Sequence, residues 1–239
     1  METRISRNYY LRTSDFDKFR RIKPSAVMDL FQDAAGLHAN LLGCGFEDMI
    51  DNKLIWVLTR VKFTIEKWPE MFSEVRVQTW PLEPSRAGFR REYLIETAAG
   101  EPLIKGSSEW VIIHSEERKI VSAKDIYPIK EGFCTELMHP DRLQKIKDCE
   151  SAEIAAEITP EYCDIDMNAH VNNIKYLDYV MNAINPENSL EFTSVQIDFR
   201  KEVLPEDRLK IALSENEAEI MAKGTDEAGN TMFMVKIEK

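Results

Sequence analysis

The sequence predicts an α+β fold made of two repeats, each a long helix wrapped by an antiparallel sheet. Three observations carry this. Each half contains one segment with apolar residues at helical spacing. Each such segment is followed by short runs that alternate or are rich in β-branched residues. A nearly constant offset lays one half of the chain over the other.

The first helix opens at Pro24, with Val27, Leu30, Phe31, Ala34 and Leu37 on one face and Ser25 placed as its cap. The second opens at Asn173 and carries Ile174, Leu177, Val180, Met181 and Ile184. Strands are expected over 54–65, 74–80, 88–96 and 102–114, and again over 194–200, 208–214, 218–224 and 231–237. Turn signals such as Trp68-Pro69-Glu70, Ala99-Gly100, Leu204-Pro205-Glu206-Asp207 and Ala228-Gly229-Asn230 separate them. Asp15-Phe16-Asp17 matches Asp164-Ile165-Asp166 at an offset of 149, which also carries Asp29 onto Asp178. Downstream, Val61–Ile65 matches Val195–Phe199 at 134. The first half therefore holds an insertion from Gly36 to roughly Leu54, containing Gly43-Cys44-Gly45-Phe46, that suits a lid or pocket wall and equally a plain loop elongation. These boundaries give a first repeat over 1–125, a connector over 126–153 with a short polar helix around Asp141 to Lys147, and a second repeat over 154–239. The pattern is a double (tandem) hot-dog.

Composition limits the function classes. With 239 residues, 44% hydrophobic and 31% charged, the chain buries a sizeable core and is not compositionally disordered. The longest dense apolar stretch, Leu54 to Leu58, is far short of the roughly 18 residues of a membrane span. Residues 1–12 lack an apolar core followed by small residues, so a cytoplasmic protein is expected. Four cysteines without close-spaced pairs (Cys44, Cys134, Cys149, Cys163) read as reduced, mostly structural thiols. A net charge of -11 argues against a nucleic-acid binder that relies on a general positive field. The acidity is uneven: residues 1–130 hold 20 Lys+Arg and 19 Asp+Glu, and residues 131–239 hold 11 and 23. The basic run Arg4, Arg7, Arg12, Lys18, Arg20, Arg21, Lys23 suits an acidic partner or a solvated surface.

The informative motif is Asp164-Ile165-Asp166-Met167-Asn168-Ala169-His170-Val171-Asn172-Asn173-Ile174-Lys175-Tyr176. Within five residues it gathers a carboxylate, an amide and an imidazole in a loop that enters a helix. The helix N-terminus leaves N–H groups unpaired and carries partial positive charge, which suits a developing oxyanion. Asp and Asn also favour caps and turns, so a capping cluster explains the same residues. The internal comparison weighs against that alternative, because the first half keeps Asp17 opposite Asp166 but has Phe19 and Arg21 opposite Asn168 and His170. One polar site per chain follows, in the second half. Glu202 supplies a second carboxylate; strand alternation puts it on one side with Asp198 and Arg200 if no bulge intervenes.

These residues, together with Tyr10-Leu11-Arg12-Thr13-Ser14, Leu30-Phe31-Gln32-Asp33-Ala34-Ala35, Leu54-Ile55-Trp56-Val57-Leu58-Thr59-Arg60, Gln78-Thr79-Trp80, Gly88-Phe89-Arg90-Arg91-Glu92-Tyr93, Ser108-Glu109-Trp110-Val111 and Phe199-Arg200-Lys201-Glu202, resemble the acyl-acyl carrier protein thioesterases, a plant and bacterial family of two fused hot-dog repeats. The resemblance implies hydrolysis of a fatty acyl thioester to free acid and thiol, with Asp166, Asn168, His170 and Glu202 on the catalytic positions. Plant members commonly carry a cysteine after the glutamate, where this chain has Val203, so a thiol nucleophile there is excluded. Water is then the nucleophile, with Glu202 or Asp166 as base, His170 orienting or protonating, and Asn168 placing the water or carboxylate. No metal or redox cofactor is expected, and His38, His114 and His139 read as structural or surface residues.

The resemblance also implies acyl carrier protein, a small acidic protein, as partner. Arg12, Arg20, Arg21, Arg86, Arg90 and Arg91 are candidate docking residues, and Val27, Phe31 and Trp56 are candidate walls of an acyl pocket. Other readings stay open. An acyl-CoA thioesterase shares the chemistry. A hot-dog hydratase or dehydratase uses His with a carboxylate, but its signature D-x-N-x-x-H is one residue longer than the spacing here. A non-catalytic acyl-thioester sensor would bind without turnover. Chain-length preference and the choice between monomer and homodimer are not fixed by the sequence.

Overall fold

The computed structural model describes residues 3–85, 88–149 and 152–239. The elements run β1 (Ile5–Tyr10), α1 (Pro24–Leu41), α2 (Phe46–Asp51), β2 (Leu54–Ile65), β3 (Glu74–Pro81), β4 (Phe89–Thr97), β5 (Pro102–His114), α3 (Ala123–Ile126), β6 (Glu153–Ile158), α4 (Lys175–Ile184), β7 (Ser194–Phe199), β8 (Leu209–Glu215), β9 (Glu219–Thr225) and β10 (Thr231–Glu238). Two compact units result: Met1–Ser14 with Asp29–Leu143, and Asp15–Met28 with Gln144–Lys239. The division falls inside α1. The connector does not stand apart, because its residues up to Leu143 pack in the first unit and those from Gln144 in the second.

Each unit contains the same antiparallel sheet. In the first the order is β1-β3-β4-β5-β2, and in the second β6-β8-β9-β10-β7. Element for element this is one topology used twice, the tandem hot-dog that the repeat predicts. The predicted strands 54–65 and 102–114 match β2 and β5 to the residue. Two strands, β1 and β6, were not foreseen in the sequence.

Pro24 occupies the first helical position of α1, where a missing N–H costs nothing. Ser25 therefore lies inside the helix, where it is buried, and is not its cap. The helix stops where Gly43 adopts φ +70 and Cys44 N–H returns to the carbonyl of Ala39. In the first unit Phe31 stacks on Tyr93 with centroids 4.3 Å apart and meets Phe63 edge-on. Gly106 makes the room, since a Cβ there would lie 2.3 Å from the Phe31 ring. In the second unit α4 packs on β6, β8 and β10. It ends at Asn185, which takes the left-handed conformation.

The insertion after α1 forms α2 and a small core of its own. Leu42, Cys44 and Met49 are buried with Leu54, Phe89, Ile112, Tyr127 and Ile129, and Trp56 packs at the margin against Phe89, Trp110 and Tyr127. Burial pushes the Cys44 thiol up to about 11, against the lowering effect of Arg91.

The polar helix expected at 141–147 is absent; the segment has no regular secondary structure. Its carbonyls find side chains instead of i→i−4 partners, and Pro140 precedes it. In the first unit Arg90 donates to the carbonyls of His139 and Asp141, Arg60 to that of Leu143 at 2.9 Å, and Trp80 Nε1 to that of Glu136. In the second, Ile146 N–H donates to Asp198 at 2.8 Å, while Gln196 and Arg200 donate to the carbonyls of Gln144 and Ile146.

A buried polar network anchors the first-unit part of this strap. Ser107 Oγ donates to Glu92 at 2.6 Å and lies 2.8 Å from His139 Nδ1, whose Nε2 meets Thr64 Oγ1 at 3.0 Å. Burial raises the Glu92 carboxyl, with Ser107, Arg90 and the Met138 N–H opposing it. Burial, assisted by Lys62, Arg90 and Lys105, lowers His139 from 6.5 to about 4. Between those two values the unfolded chain binds a proton at His139 that the folded protein does not, so stability falls as pH drops through this window. Glu92, whose raised carboxyl acts in the opposite sense, is present in both proteins, so the stability of wild type relative to His139→Gln, measured by urea unfolding, should fall as pH drops from about 7 to about 4.

Candidate active site

The motif loop is a tight turn held by its own polar groups. Ile165 and Val171 pair across it, Asp166 N–H donates to the carbonyl of His170 at 2.9 Å, and Ala169 N–H returns to that of Asp166. Asp166 Oδ1 accepts the N–H of Asn168 at 2.8 Å, an Asx turn, and Ala169 takes φ +62. The first repeat builds the same turn. Asp17 Oδ1 accepts the N–H of Phe19, Asp17 N–H donates to the carbonyl of Arg21, Phe16 pairs with Ile22, and Arg20 takes φ +64. The Asp166 carboxylate thus has a structural duty that its counterpart shares.

Below the loop, Asp164 accepts from the Tyr179 hydroxyl at 2.7 Å and from Glu161 N–H, and lies 3.3 Å from Lys175 Nζ. Burial would raise its carboxyl, and these partners outweigh it, so the value is lowered. The second helix starts at Lys175, two residues later than expected, because Asn172 caps the turn before it. Its Oδ1 accepts the N–H of Ile174 and its carbonyl that of Lys175. Those two N–H groups are therefore already bonded at the end of the helix where an oxyanion was expected to sit.

Glu202 arrives by a bulge. Arg200 and Lys201 N–H groups both donate to the carbonyl of Met232, at 2.9 and 3.1 Å, so the alternation of β7 ends at Phe199. The expected common face of Asp198, Arg200 and Glu202 is not kept. Asp198 is buried and bonded to Ile146 N–H, whereas Glu202 is turned to the motif loop. Val171 N–H donates to the carbonyl of Val203 at 2.9 Å, and Val203 N–H donates to the Tyr176 hydroxyl at 3.2 Å. This tie brings His170 Nε2 to 3.4 Å from Glu202 Oε2, with the side chains 27% and 35% exposed. Partial exposure leaves the pair open to a substrate.

The four predicted residues thus form two pairs. Asn168 Nδ2 lies 3.4 Å from Asp166 Oδ2 on the outer side of the turn, and His170 faces Glu202. Tyr176 was not singled out in the sequence, although the internal offset of 149 places it opposite Val27. Its phenol is raised by burial and by the charges of Glu202, Asp166 and Asp207, against the Val203 N–H.

The other candidates divide by burial. Val27 and Phe31 are buried core residues, and Trp56 is half-buried with its Nε1 on the carbonyl of Cys44. Arg12 and Arg20 are exposed, and Arg21 pairs with Glu191. Arg86 lies outside the described residues. Arg90 and Arg91 are not surface groups: Arg90 is held by Glu92 and the strap, and Arg91 is buried against His38 and Thr79. They are therefore removed from the docking set. Of the four cysteines only Cys44 is buried; Cys163 is exposed and is not a core thiol. No helix among the described residues is long and apolar enough to cross a membrane.

Comparison with known proteins covers nearly the whole chain. Residues 2–128 match the family described as Acyl-ACP thioesterase N-terminal domain, and residues 147–238 match Acyl-ACP thioesterase C-terminal domain. A palmitoyl-acyl carrier protein thioesterase, chloroplastic, of Arabidopsis thaliana is 30% identical over 82% of this chain and 51% of its own length. The chain spans about half the length of the curated relatives it matches. A 12:0-ACP thioesterase from Umbellularia californica shares the fold with a TM-score of 0.85 at 23% identity, covering 100% of this chain and 97% of that one. An acyl-ACP thioesterase from Bacteroides thetaiotaomicron does so with a TM-score of 0.83 at 21% identity, covering 99% and 97%.

Because the two turns are built alike, Asp17→Ala and Asp166→Ala should each lower the unfolding free energy by about 1 kcal/mol. Urea denaturation checks this; a loss at Asp17 alone would deny the Asx role of Asp166.

Proposed function

The chain belongs to the acyl-acyl carrier protein thioesterase family, and on that premise we propose that it hydrolyses fatty acyl-acyl carrier protein to free fatty acid and carrier protein. The observation that carries the reading is the His170–Glu202 pair, partly exposed and held by backbone bonds on both sides of the contact. Glu202 takes a proton from water, and the hydroxyl oxygen attacks the thioester carbonyl carbon. The C–S bond of the tetrahedral intermediate then breaks, and His170 supplies the proton that leaves with the thiol and takes in return the one Glu202 removed from water, so both groups end as they began. Glu202 suits the base better than Asp166, whose Oδ1 is engaged in the turn. Asn168, on the exposed side of that turn, orients the water or the ester. The partial positive charge at the start of α4 favours the oxyanion, through its field rather than through the N–H groups of Ile174 and Lys175. Val203, buried and apolar, offers no nucleophile.

The acidic carrier would meet exposed basic residues of the second unit, Lys18 and Arg20; Arg12, in the first unit, is exposed as well. Candidate acyl walls remain the half-buried Trp56 and the core residues Phe31 in the first unit and Val27 in the second. A reducing compartment such as the cytoplasm fits a buried thiol at Cys44 and an exposed one at Cys163, neither of them in a disulfide.

Thiol release from a panel of acyl-acyl carrier protein and acyl-CoA thioesters tests this. Turnover should favour the carrier-linked groups, and His170→Ala and Glu202→Gln should each lower kcat by about 10²- to 10⁴-fold with the circular dichroism intact. An enoyl product, or binding without thiol release, would instead favour a hydratase or a sensor. Raising salt from about 50 to about 300 mM, which shortens the Debye length from about 14 to about 6 Å, should weaken turnover of the carrier-linked substrate much more than that of a small thioester; equal sensitivity would reject docking through these basic residues.

A further inference from the structure

Val203 is gripped at both its polar groups. Its carbonyl accepts the N–H of Val171, and its N–H donates to the Tyr176 hydroxyl at 3.2 Å. The acceptor is itself fixed by packing. The Tyr176 ring stands edge-on to Phe199 and Phe233, with centroids 5.3 and 5.0 Å away, and is 2% exposed. Phe233 in turn fills the space that a side chain at Gly224 would take, since a Cβ there would lie 2.1 Å from its ring. The residue directly before Val203 is Glu202.

The internal repeat separates scaffold from chemistry. The bulge that delivers Glu202 occurs in the first repeat as well, where Glu66 and Lys67 N–H groups both donate to the carbonyl of Leu103. The offset of 134 therefore holds past the strand, and it places Trp68 opposite Glu202 and Pro69 opposite Val203. The helix offset of 149 places Val27 opposite Tyr176. Proline has no N–H and valine no hydroxyl. The first repeat thus lacks both ends of this hydrogen bond, just as it lacks counterparts of Asn168, His170 and Glu202. It keeps the turn aspartate and the bulge. The Tyr176–Val203 bond sorts with the groups that do chemistry and not with those that build the fold.

We propose that Tyr176 is a positioning residue for Glu202: by accepting the Val203 N–H it fixes the chain immediately after the glutamate and sets the carboxylate against His170. The inference rests on the thioesterase reading of the same site. Removing the hydroxyl leaves the ring packing in place and lets the 202–203 peptide shift, and a displacement of about 1 Å at a reacting group costs on the order of 10²-fold in rate.

The test compares wild type, Tyr176→Phe, Glu202→Gln and the double variant on an acyl-acyl carrier protein. Tyr176→Phe should lower kcat by about 10- to 100-fold with KM within about twofold. In the double variant the second change should add nothing to the loss from Glu202→Gln, because Tyr176 acts through that carboxylate. In ¹⁵N spectra the His170 Nε2 signal of Tyr176→Phe should move toward its position in Glu202→Gln. An unchanged kcat, losses that multiply, or an unmoved His170 signal would each overturn the proposal. If wild type releases no thiol, the thioesterase reading falls and the His170 signal alone decides the positioning claim. Should Tyr176→Phe not fold, Phe233→Leu takes its place: it keeps the hydroxyl but loosens the ring, so kcat must again fall at constant KM, and an unaltered kcat overturns the proposal.

Discussion

A single backbone hydrogen bond, from Val171 N–H to the carbonyl of Val203, joins two stretches of chain that lie 32 positions apart. His170 and Glu202 are each the residue before one of its partners, so their side chains meet because the backbones do. The local structure on either side serves that contact. Asp166 folds the loop that presents His170, and the bulge at Met232 ends the pleat so that Glu202 can turn to it. Without the bulge, strand alternation would put Glu202 on the face of Asp198, which is committed to the connector at Ile146.

The two repeats show what each part is for. Sheet order, turn and bulge are present twice, and they are satisfied by backbone groups and one aspartate side chain. The amide, imidazole and second carboxylate are present once. In the first unit the polar side chains are spent differently, on a buried network of Glu92, Ser107, His139 and Arg90 that holds the strap to the sheet. Buried polar groups of this kind need partners on all sides, which is why Arg90 and Arg91 face inward and not toward a carrier protein.

Much of this was legible in the sequence, for identifiable reasons. Strands β2 and β5 are long and apolar, with turn residues at both ends, and their bounds matched to the residue. Strands β1 and β6 are sheet edges with mostly exposed side chains, so no apolar period marks them. The segment 141–147 has a polar pattern that reads as a surface helix, but its backbone groups bond to side chains of Arg60, Asp198 and Arg200, tens of residues away, and distant partners leave no local signal. The motif from Asp166 to His170 was legible because it is contiguous. Glu202 was visible as a second carboxylate and joined the site through the family resemblance; its contact with His170 was not, because alternation could not supply it across a bulge. Tyr176 was visible only by asking what stands opposite it in the other repeat.

In the proposed hydrolysis water, not a side chain, attacks the thioester beside Glu202 and His170. The most direct measurement is intact-protein mass spectrometry of acid-quenched samples taken during the first turnover of an acyl-acyl carrier protein. The protein should keep its unmodified mass at every time point while free acid accumulates. A transient adduct of one acyl group, on Cys163, Glu202 or any other residue, would contradict direct attack by water.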